Sequence, residues 1–305
     1  MHIPDHMLNG QICPVTAAVS AIAVIGAAIA AFLSKKKPSA ERFAAVSAFI
    51  FAAQMMNFPV KNGTSGHLLG AMIAVSLLGI PYGMLAMSIV VSLQCLVFSD
   101  GGFTVLGANV FNMAVVGAGL GGVLYTLFVK KLPERSLVHS LALGAAAWAS
   151  LMMAAFACSV ELGISGTVSF SEVVGAMLST HALIGIGEAL ITVAVCYAFD
   201  AEQVKASTKL SVGVPVAAAL VLAGMLSPFA SSFPDGLEWV AEKYQFLHES
   251  APAFVGPLPD YTMPAVTGEA LSTMLAGLVG TIITFLLAWA FAKVLLKPGA
   301  AETVR

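Results

Sequence analysis

The segment ICPVTAAVSAIAVIGAAIAAFLSKKK, residues 12–37, has the pattern of a membrane-spanning helix. It begins with an unbroken run of uncharged, mainly apolar residues from Ile12 to Leu33, and the lysines 35–37 follow almost at once. A helix that crosses a bilayer needs about 20 such residues, and lysine is concentrated in the cytoplasmic loops of membrane proteins. The stretch therefore predicts a transmembrane helix whose carboxyl end faces the cytoplasm.

The composition extends this prediction to the whole chain. Of its 305 residues, 59% are hydrophobic and 10% are charged, whereas soluble domains carry about 25% charged residues. The net charge of -2 and the lack of a basic stripe exclude a nucleic-acid-binding protein. The four cysteines stand singly in or beside apolar segments, which predicts neither a disulfide framework nor a CxxC site.

Apolar segments predict an all-α membrane protein with nine transmembrane helices. The segment 67–98 counts as two of them, because GIPYG at 79–83 interrupts it. The expected spans are 12–33, 42–58, the two parts of 67–98, 109–129, 137–160, 173–199, 210–230 and 268–296.

The basic residues predict the orientation of these helices. Of the 14 lysines and arginines, only Lys61 and Lys243 fall in loops on the opposite side from the others. The remaining basic residues are Lys35, Lys36, Lys37, Arg42, Lys130, Lys131, Arg135, Lys205, Lys209, Lys293, Lys297 and Arg305. Because basic loops stay in the cytoplasm, we expect an outside amino terminus and a cytoplasmic carboxyl terminus.

A change in composition after Asp200 predicts two units. Residues 1–200 are expected to form a seven-helix bundle, and residues 201–305 an appended two-helix unit whose connecting loop, 231–267, lies outside. Small residues at Gly117–Gly122 allow helices to approach closely in a membrane. This glycine stretch serves either internal packing or contact with a partner protein.

The first two residues offer three nitrogen ligands for one metal ion. The amine of Met1, the amide nitrogen of His2 and Nδ1 of the His2 imidazole close a five-membered and a six-membered chelate ring. Three nitrogens in one plane suit Ni(II) or Cu(II), whereas zinc prefers a tetrahedron and magnesium prefers oxygen. The start of the chain therefore indicates a metal site.

His67 is the predicted fourth nitrogen, since it lies at the outside start of the third expected helix. His6 is a competing ligand, and the alternative interpretation makes His2 an incidental polar terminus and His67 a helix-cap residue. We expect Asp5, His6, Ser65 and Asn109 around the ligands. No catalytic residue is expected.

Two polar residues of the seventh expected helix allow other interpretations. Glu188 is an intramembrane carboxyl group, and we expect a structural hydrogen bond to Asn109 or Asn112 rather than a proton-linked antiport site. The GTSG sequence at 63–66 matches the GxSG of rhomboid-type intramembrane proteases, in which Ser65 and His181 would form a dyad. We regard the protease as the minor alternative, because it gives the amino-terminal peptide no role.

The chain resembles a known family, the CbiM/NikM substrate-binding membrane components of nickel and cobalt energy-coupling-factor transporters. The matching segments are MHIPDH at 1–6, GTSGHLLG at 63–70, SDGGFTVLGANVFNMA at 99–114 and HALIGIGEALIT at 181–192. The resemblance implies a planar metal site formed by Met1, His2 and His67. His6 stands where glycine is usual in the nickel branch.

The sequence PDGLE at 234–238 resembles the accessory membrane subunit of these transporters, here fused to the binding component. The resemblance implies that its outside loop, with Asp235 and Glu238, assists metal loading. It also implies a multi-pass protein of the inner, or plasma, membrane of a prokaryote.

The resemblance further implies ATP-driven uptake of nickel, with cobalt as the alternative. The ion is then the transported substrate, and no cofactor is expected. Because the chain has no GxxxxGK[ST] phosphate loop, ATP hydrolysis is expected from cytoplasmic ATPase subunits, which act through a transmembrane coupling (T) protein.

Overall fold

The described residues of the computed structural model are 2–61, 63–201, 204, 206–247 and 251–295. Met1, the predicted amine ligand, lies outside the described residues. So do Lys205, Lys297 and Arg305, on which the predicted orientation partly depends.

In the described part of the predicted first unit, residues 1–200, the chain forms a helical bundle with one short hairpin. The two strands pair antiparallel, Phe58 with Gly66 and Pro59 with Ser65. The elements are α1 (Ile12–Leu33), α2 (Ala40–Gln54), β1 (Phe58–Pro59), β2 (Ser65–Gly66), α3 (Ala71–Leu78), α4 (Ile80–Phe98), α5 (Leu106–Val129), α6 (Leu137–Ile164) and α7 (Phe170–Phe199).

The second unit contributes two long helices and one short helix. They are α8 (Thr208–Phe229), α9 (Gly236–Lys243) and α10 (Glu269–Leu295). Helices α8 and α10 both pack against α2. Helix α10 also contacts Glu41 of α2. Trp289 Nε1 donates to Glu41 Oε1 at 3.1 Å, and Lys293 Nζ lies 2.9 Å from the same oxygen.

Seven helices in the described part of the chain are long and apolar enough to cross a membrane. They are α1, α4, α5, α6, α7, α8 and α10. The other two expected spans correspond to α2, with 15 residues, and α3, with 8 residues. Nearly all of α2 and α3 is buried inside the protein, where a helix does not need the full thickness of the lipid. The chain is a multi-pass membrane protein, and nine spans and the orientation of the termini stay predictions.

Two glycines shape the bundle around α3. Gly70, with φ of 74°, precedes α3, so the helix begins at Ala71 and leaves His67 in a loop. Gly79, with φ of 87°, separates α3 from α4, as GIPYG predicts.

The glycine stretch of α5 faces the interior. A Cβ atom at Gly117 would approach Leu69, and one at Gly121 or Gly122 would crowd Ser150 or Ile80. These contacts support internal packing rather than a partner surface. Part of α5, Phe111–Leu120, is π-helical, a local form that occurs often at functional sites.

Candidate metal centre

The structure brings His2 and His67 together. Their rings are stacked, with centroids 5.4 Å apart and an interplanar angle of 19°. The side chains are 6% and 9% exposed. Residues 65 positions apart in sequence therefore present two buried imidazoles to one small region, at the end of the bundle where α3 begins.

The hydrogen bond at Nδ1 decides which nitrogen of His67 can bind a metal. Nδ1 lies 3.0 Å from the carbonyl oxygen of Leu68, which can only accept, so Nδ1 donates. The lone pair is then on Nε2. Burial lowers the pKa of His67 to about 3, so the imidazole is neutral at pH 7. A neutral imidazole whose Nε2 carries the lone pair is a good metal ligand.

The ring of His2 is held from both sides. Nδ1 lies 3.0 Å from Asp100 Oδ1, and Nε2 lies 3.1 Å from Gln94 Oε1. The predicted chelate uses Nδ1, so an ion bound there has to take the place of the Asp100 contact. Asp100 would then remain as a negative charge close to the ion.

Hydrogen bonds hold the peptide that follows His2. The Ile3 N–H donates to Asn109 Oδ1 at 2.8 Å, Asn109 Nδ2 donates to the Ile3 carbonyl at 3.0 Å, and the Gly102 N–H donates to the same carbonyl at 2.8 Å. Asp5 Oδ1 accepts from the N–H and the hydroxyl of Thr104. The backbone at residue 3 and the side chain of residue 5 are therefore fixed to the segment 99–109.

The loop 231–267, here called the accessory loop, contacts this peptide and the segment 99–109. The Ala253 N–H donates to Asp5 Oδ2 at 3.0 Å, and the Tyr261 hydroxyl donates to Asp100 Oδ2 at 2.5 Å. Tyr261 also stacks on Phe98, with centroids 4.7 Å apart. Asp100 therefore links His2 of the first unit to Tyr261 of the second.

Asp235, near the start of the accessory loop, lies beside His67. Its Oδ2 lies 3.8 Å from His67 Nε2. Its Oδ1 accepts from the N–H groups of Leu237 and Glu238, and the Glu238 side chain accepts from the Asp235 N–H. This is a capping box that starts α9. Asp235 thus lies beside the predicted ligand, while Glu238 serves the helix terminus.

Ser65 and His6 contact the accessory loop rather than the imidazoles. The Ser65 hydroxyl donates to the Phe233 carbonyl at 2.7 Å, and the Ser65 N–H donates to the Pro234 carbonyl at 2.8 Å. His6 is exposed, and its Nε2 lies 3.1 Å from the carbonyl oxygen of Ala251.

Ser65 and His181, the dyad of the protease alternative, bind other partners. His181 Nδ1 donates to the Met177 carbonyl at 2.8 Å, one turn back in α7, while the Ser65 hydroxyl is bound to the accessory loop. Gly236 packs directly on His181, where a Cβ would lie 3.2 Å from Nε2. His181 therefore packs against the first residue of α9.

The expected partners of Glu188 were wrong. Glu188 accepts from the backbone N–H groups of Leu69, at 2.6 Å, and Gly70, at 3.0 Å. Asn109 pairs with Ile3 instead, and Asn112 donates to Glu161 Oε2 at 2.7 Å. The general expectation of a structural hydrogen bond for Glu188 is confirmed, but its partner is the loop that follows His67.

No three His, Cys, Asp or Glu side chains of the described residues are arranged as a metal site. The predicted site is of another kind, since only two of its four nitrogens come from side chains. Gln94, Asp100 and Tyr261 were not predicted as site residues, although Asp100 lies in the segment 99–114 that carries the family resemblance.

Comparison with known proteins agrees with this architecture. Residues 2–207 match the family model of the cobalt uptake substrate-specific transmembrane region, CbiM, and residues 209–297 match the PDGLE domain. A protein of Archaeoglobus fulgidus named as a fused nickel transport protein, NikMN, is 38% identical over 304 residues. The match covers 96% of this chain and 98% of the relative. The fused nickel transport protein NikMN of Rhodobacter capsulatus is 35% identical over 58% of this chain and 51% of the relative.

A solved structure shows a similar fold. The crystal structure of a transition metal transporter superposes with a TM-score of 0.59 at 30% identity, and covers 69% of this chain and 96% of that chain. These relatives are metal transport proteins rather than enzymes, and they give the protease alternative no support. The resemblance inferred from the sequence motifs is confirmed: the chain belongs to the CbiM family of substrate-specific transmembrane components, and it carries a fused PDGLE domain.

Proposed function

We propose that the chain binds Ni2+ through four nitrogens and is the substrate-binding subunit of an energy-coupling-factor uptake transporter. The ligands are the amine of Met1, the amide nitrogen and Nδ1 of His2, and Nε2 of His67. The observation that carries the proposal is the stacking of the two buried imidazoles at 5.4 Å. Nitrogen ligands in a plane favour Ni(II) over the oxygen-preferring dications.

Carboxylates balance the charge of the bound ion. The amide loses its proton when it binds the metal. Asp100 and Asp235 lie beside His2 and His67, at 3.0 and 3.8 Å, so they add negative charge near the dication. An ion bound at Nδ1 of His2 would displace to solvent the proton between this nitrogen and Asp100, and the Asp100 carboxylate would remain next to the ion.

Energy for uptake comes from other chains. The resemblance supports a transmembrane coupling protein and cytoplasmic ATPases as partners, and a prokaryotic plasma membrane with the site on the outer face. The names of the relatives support nickel, whereas the family description supports cobalt as the alternative substrate.

A titration of the purified full-length chain with Ni2+ and, separately, Co2+ tests the proposal. We expect a visible d–d band typical of planar Ni(II), which disappears in His67→Ala and in a chain with one extra residue before Met1. His6→Ala is the matched control, because His6 is exposed and faces Ala251. Retention of Co2+ but not Ni2+ selects the alternative, and retention of neither ion refutes the proposal.

A further inference from the structure

Glu188 and His67 contact opposite ends of one peptide group. Glu188 Oε2 accepts from the Leu69 N–H at 2.6 Å. His67 Nδ1 donates to the Leu68 carbonyl at 3.0 Å. That N–H and that carbonyl belong to the same peptide bond, which joins Leu68 to Leu69.

A peptide group is planar and rigid, so it transmits orientation. When Glu188 fixes the N–H end, the direction of the carbonyl end is fixed as well. The carbonyl in turn sets the rotation of the His67 ring and therefore the direction of its Nε2 lone pair. Hydrogen bonds in such a chain also polarise one another.

The surrounding contacts leave this peptide little freedom. Glu188 Oε1 holds the next N–H, of Gly70, at 3.0 Å, and Gln54 Nε2 donates to the Leu69 carbonyl at 2.7 Å. Glu188 is 1% exposed and Gln54 is 4% exposed. Two helices, α2 and α7, therefore hold the short loop between His67 and α3 from inside the bundle.

We propose that Glu188 is a positioning residue for the metal site, and that it acts on His67 through the peptide group between Leu68 and Leu69. In many metal sites a carboxylate accepts directly from the ligand histidine, which orients the ring and makes it a stronger donor. Here a peptide group is inserted between the carboxylate and the imidazole. The inference rests on the proposed function, since it gives Glu188 a role only if His67 binds the metal.

Glu188→Gln tests the proposal, with Glu161→Gln as the matched control. Glutamine has one acceptor oxygen, so its NH2 group must face either the Leu69 or the Gly70 N–H. Glu161 is also a buried glutamate, 3% exposed, but its partner is Asn112. Ni2+ affinity of the full-length chain is measured by competition with a chelator, together with the d–d spectrum of the bound ion and the melting temperature.

We expect Glu188→Gln to weaken Ni2+ binding by about 10- to 100-fold, as loss of a ligand-orienting partner does, and to shift the d–d band. We expect Glu161→Gln to keep both properties, whatever it does to the melting temperature. A purely structural role for Glu188 would lower the melting temperature and leave the spectrum of the bound ion unchanged. That result overturns the proposal.

Two further measurements keep the test decisive. If the glutamine variant does not fold, Glu188→Asp is measured instead. Aspartate keeps the carboxylate but has a shorter side chain, so we expect an Ni2+ affinity and a d–d spectrum between those of the wild-type chain and those expected for Glu188→Gln. Wild-type values for this variant also overturn the proposal. In a His67→Ala background, Glu188→Gln should not lower the residual Ni2+ affinity any further, because the two residues act in series. Failure of the wild-type chain to bind Ni2+ would refute the proposed function itself.

Discussion

The side-chain amide of Asn109 pairs with both backbone polar groups of Ile3. Its Oδ1 accepts from the Ile3 N–H at 2.8 Å, and its Nδ2 donates to the Ile3 carbonyl at 3.0 Å. Ile3 is fully buried. Asn109 thus holds the peptide immediately after His2 in the way a neighbouring strand would.

We expect Asn109→Ala to weaken Ni2+ binding about tenfold, because an unpaired buried N–H costs about 1–3 kcal/mol in the docked state of the peptide. The measurement is a competition titration on the purified chain. Asn112→Ala is the control, since Asn112 lies on the same helix but pairs with Glu161. Equal affinities for the two variants would contradict the role given to Asn109.

A second prediction concerns Gly102, which packs against the backbone of Asp5. A Cβ at Gly102 would overlap the backbone nitrogen of Asp5, and backbone cannot move aside as a flexible side chain can. We therefore expect Gly102→Ala to displace the amino-terminal peptide and to abolish tight Ni2+ binding. Gly26→Ala should bind Ni2+ normally, because a Cβ at Gly26 meets nothing within 4 Å. Normal Ni2+ binding by Gly102→Ala would show that the amino-terminal peptide does not need a glycine at position 102.

A third prediction concerns the accessory loop. Tyr261→Phe removes the hydroxyl that donates to Asp100 at 2.5 Å, and a hydrogen bond to a charged group contributes about 1.5–3 kcal/mol. We expect faster amide hydrogen exchange in residues 251–261. Tyr244→Phe, at an exposed tyrosine on the same loop, should leave exchange there unchanged. Identical exchange in both variants would mean that other contacts hold the loop.

A fourth prediction concerns the packing of the two units. A Cβ at Gly280 of α10 would collide with the rings of Phe51 and Phe98. We expect Gly280→Ala to lower stability by about 1–3 kcal/mol through overpacking, seen as a lower melting temperature in detergent. Gly213→Ala in α8, where the Cβ meets nothing within 4 Å, should not lower it. A melting temperature of Gly280→Ala at or above that of the wild type would be inconsistent with this packing.

The sequence predicts the general architecture because hydropathy and charge are local properties. The long apolar runs become α1, α4 to α8 and α10. The contact of His2 with His67 was also foreseeable, since both histidines were expected on the outside face. A short third helix was expected too, since GIPYG interrupts the segment 67–98. The burial of α2 and α3 inside the protein was not foreseeable, because a run of apolar residues looks the same whether lipid or protein surrounds it.

The partners of the polar residues could not be predicted in the same way. Glu188 binds backbone N–H groups, which every residue except proline provides and which therefore leave no mark in a sequence. The contact of Asp100 with Tyr261 joins two units that are far apart along the chain. Such pairs depend on how the units dock.

The hydrogen bond between Asp5 and Ala253 joins residues 248 positions apart. The ribosome makes Asp5 near the start of synthesis and Ala253 near the end, and contacts between distant residues form late because a long loop has to close first. We therefore expect the contact of residue 253 with the amino-terminal peptide to form late in biogenesis. A nascent chain arrested before residue 251 would still lack the contacts that cover Asp5 and Asp100.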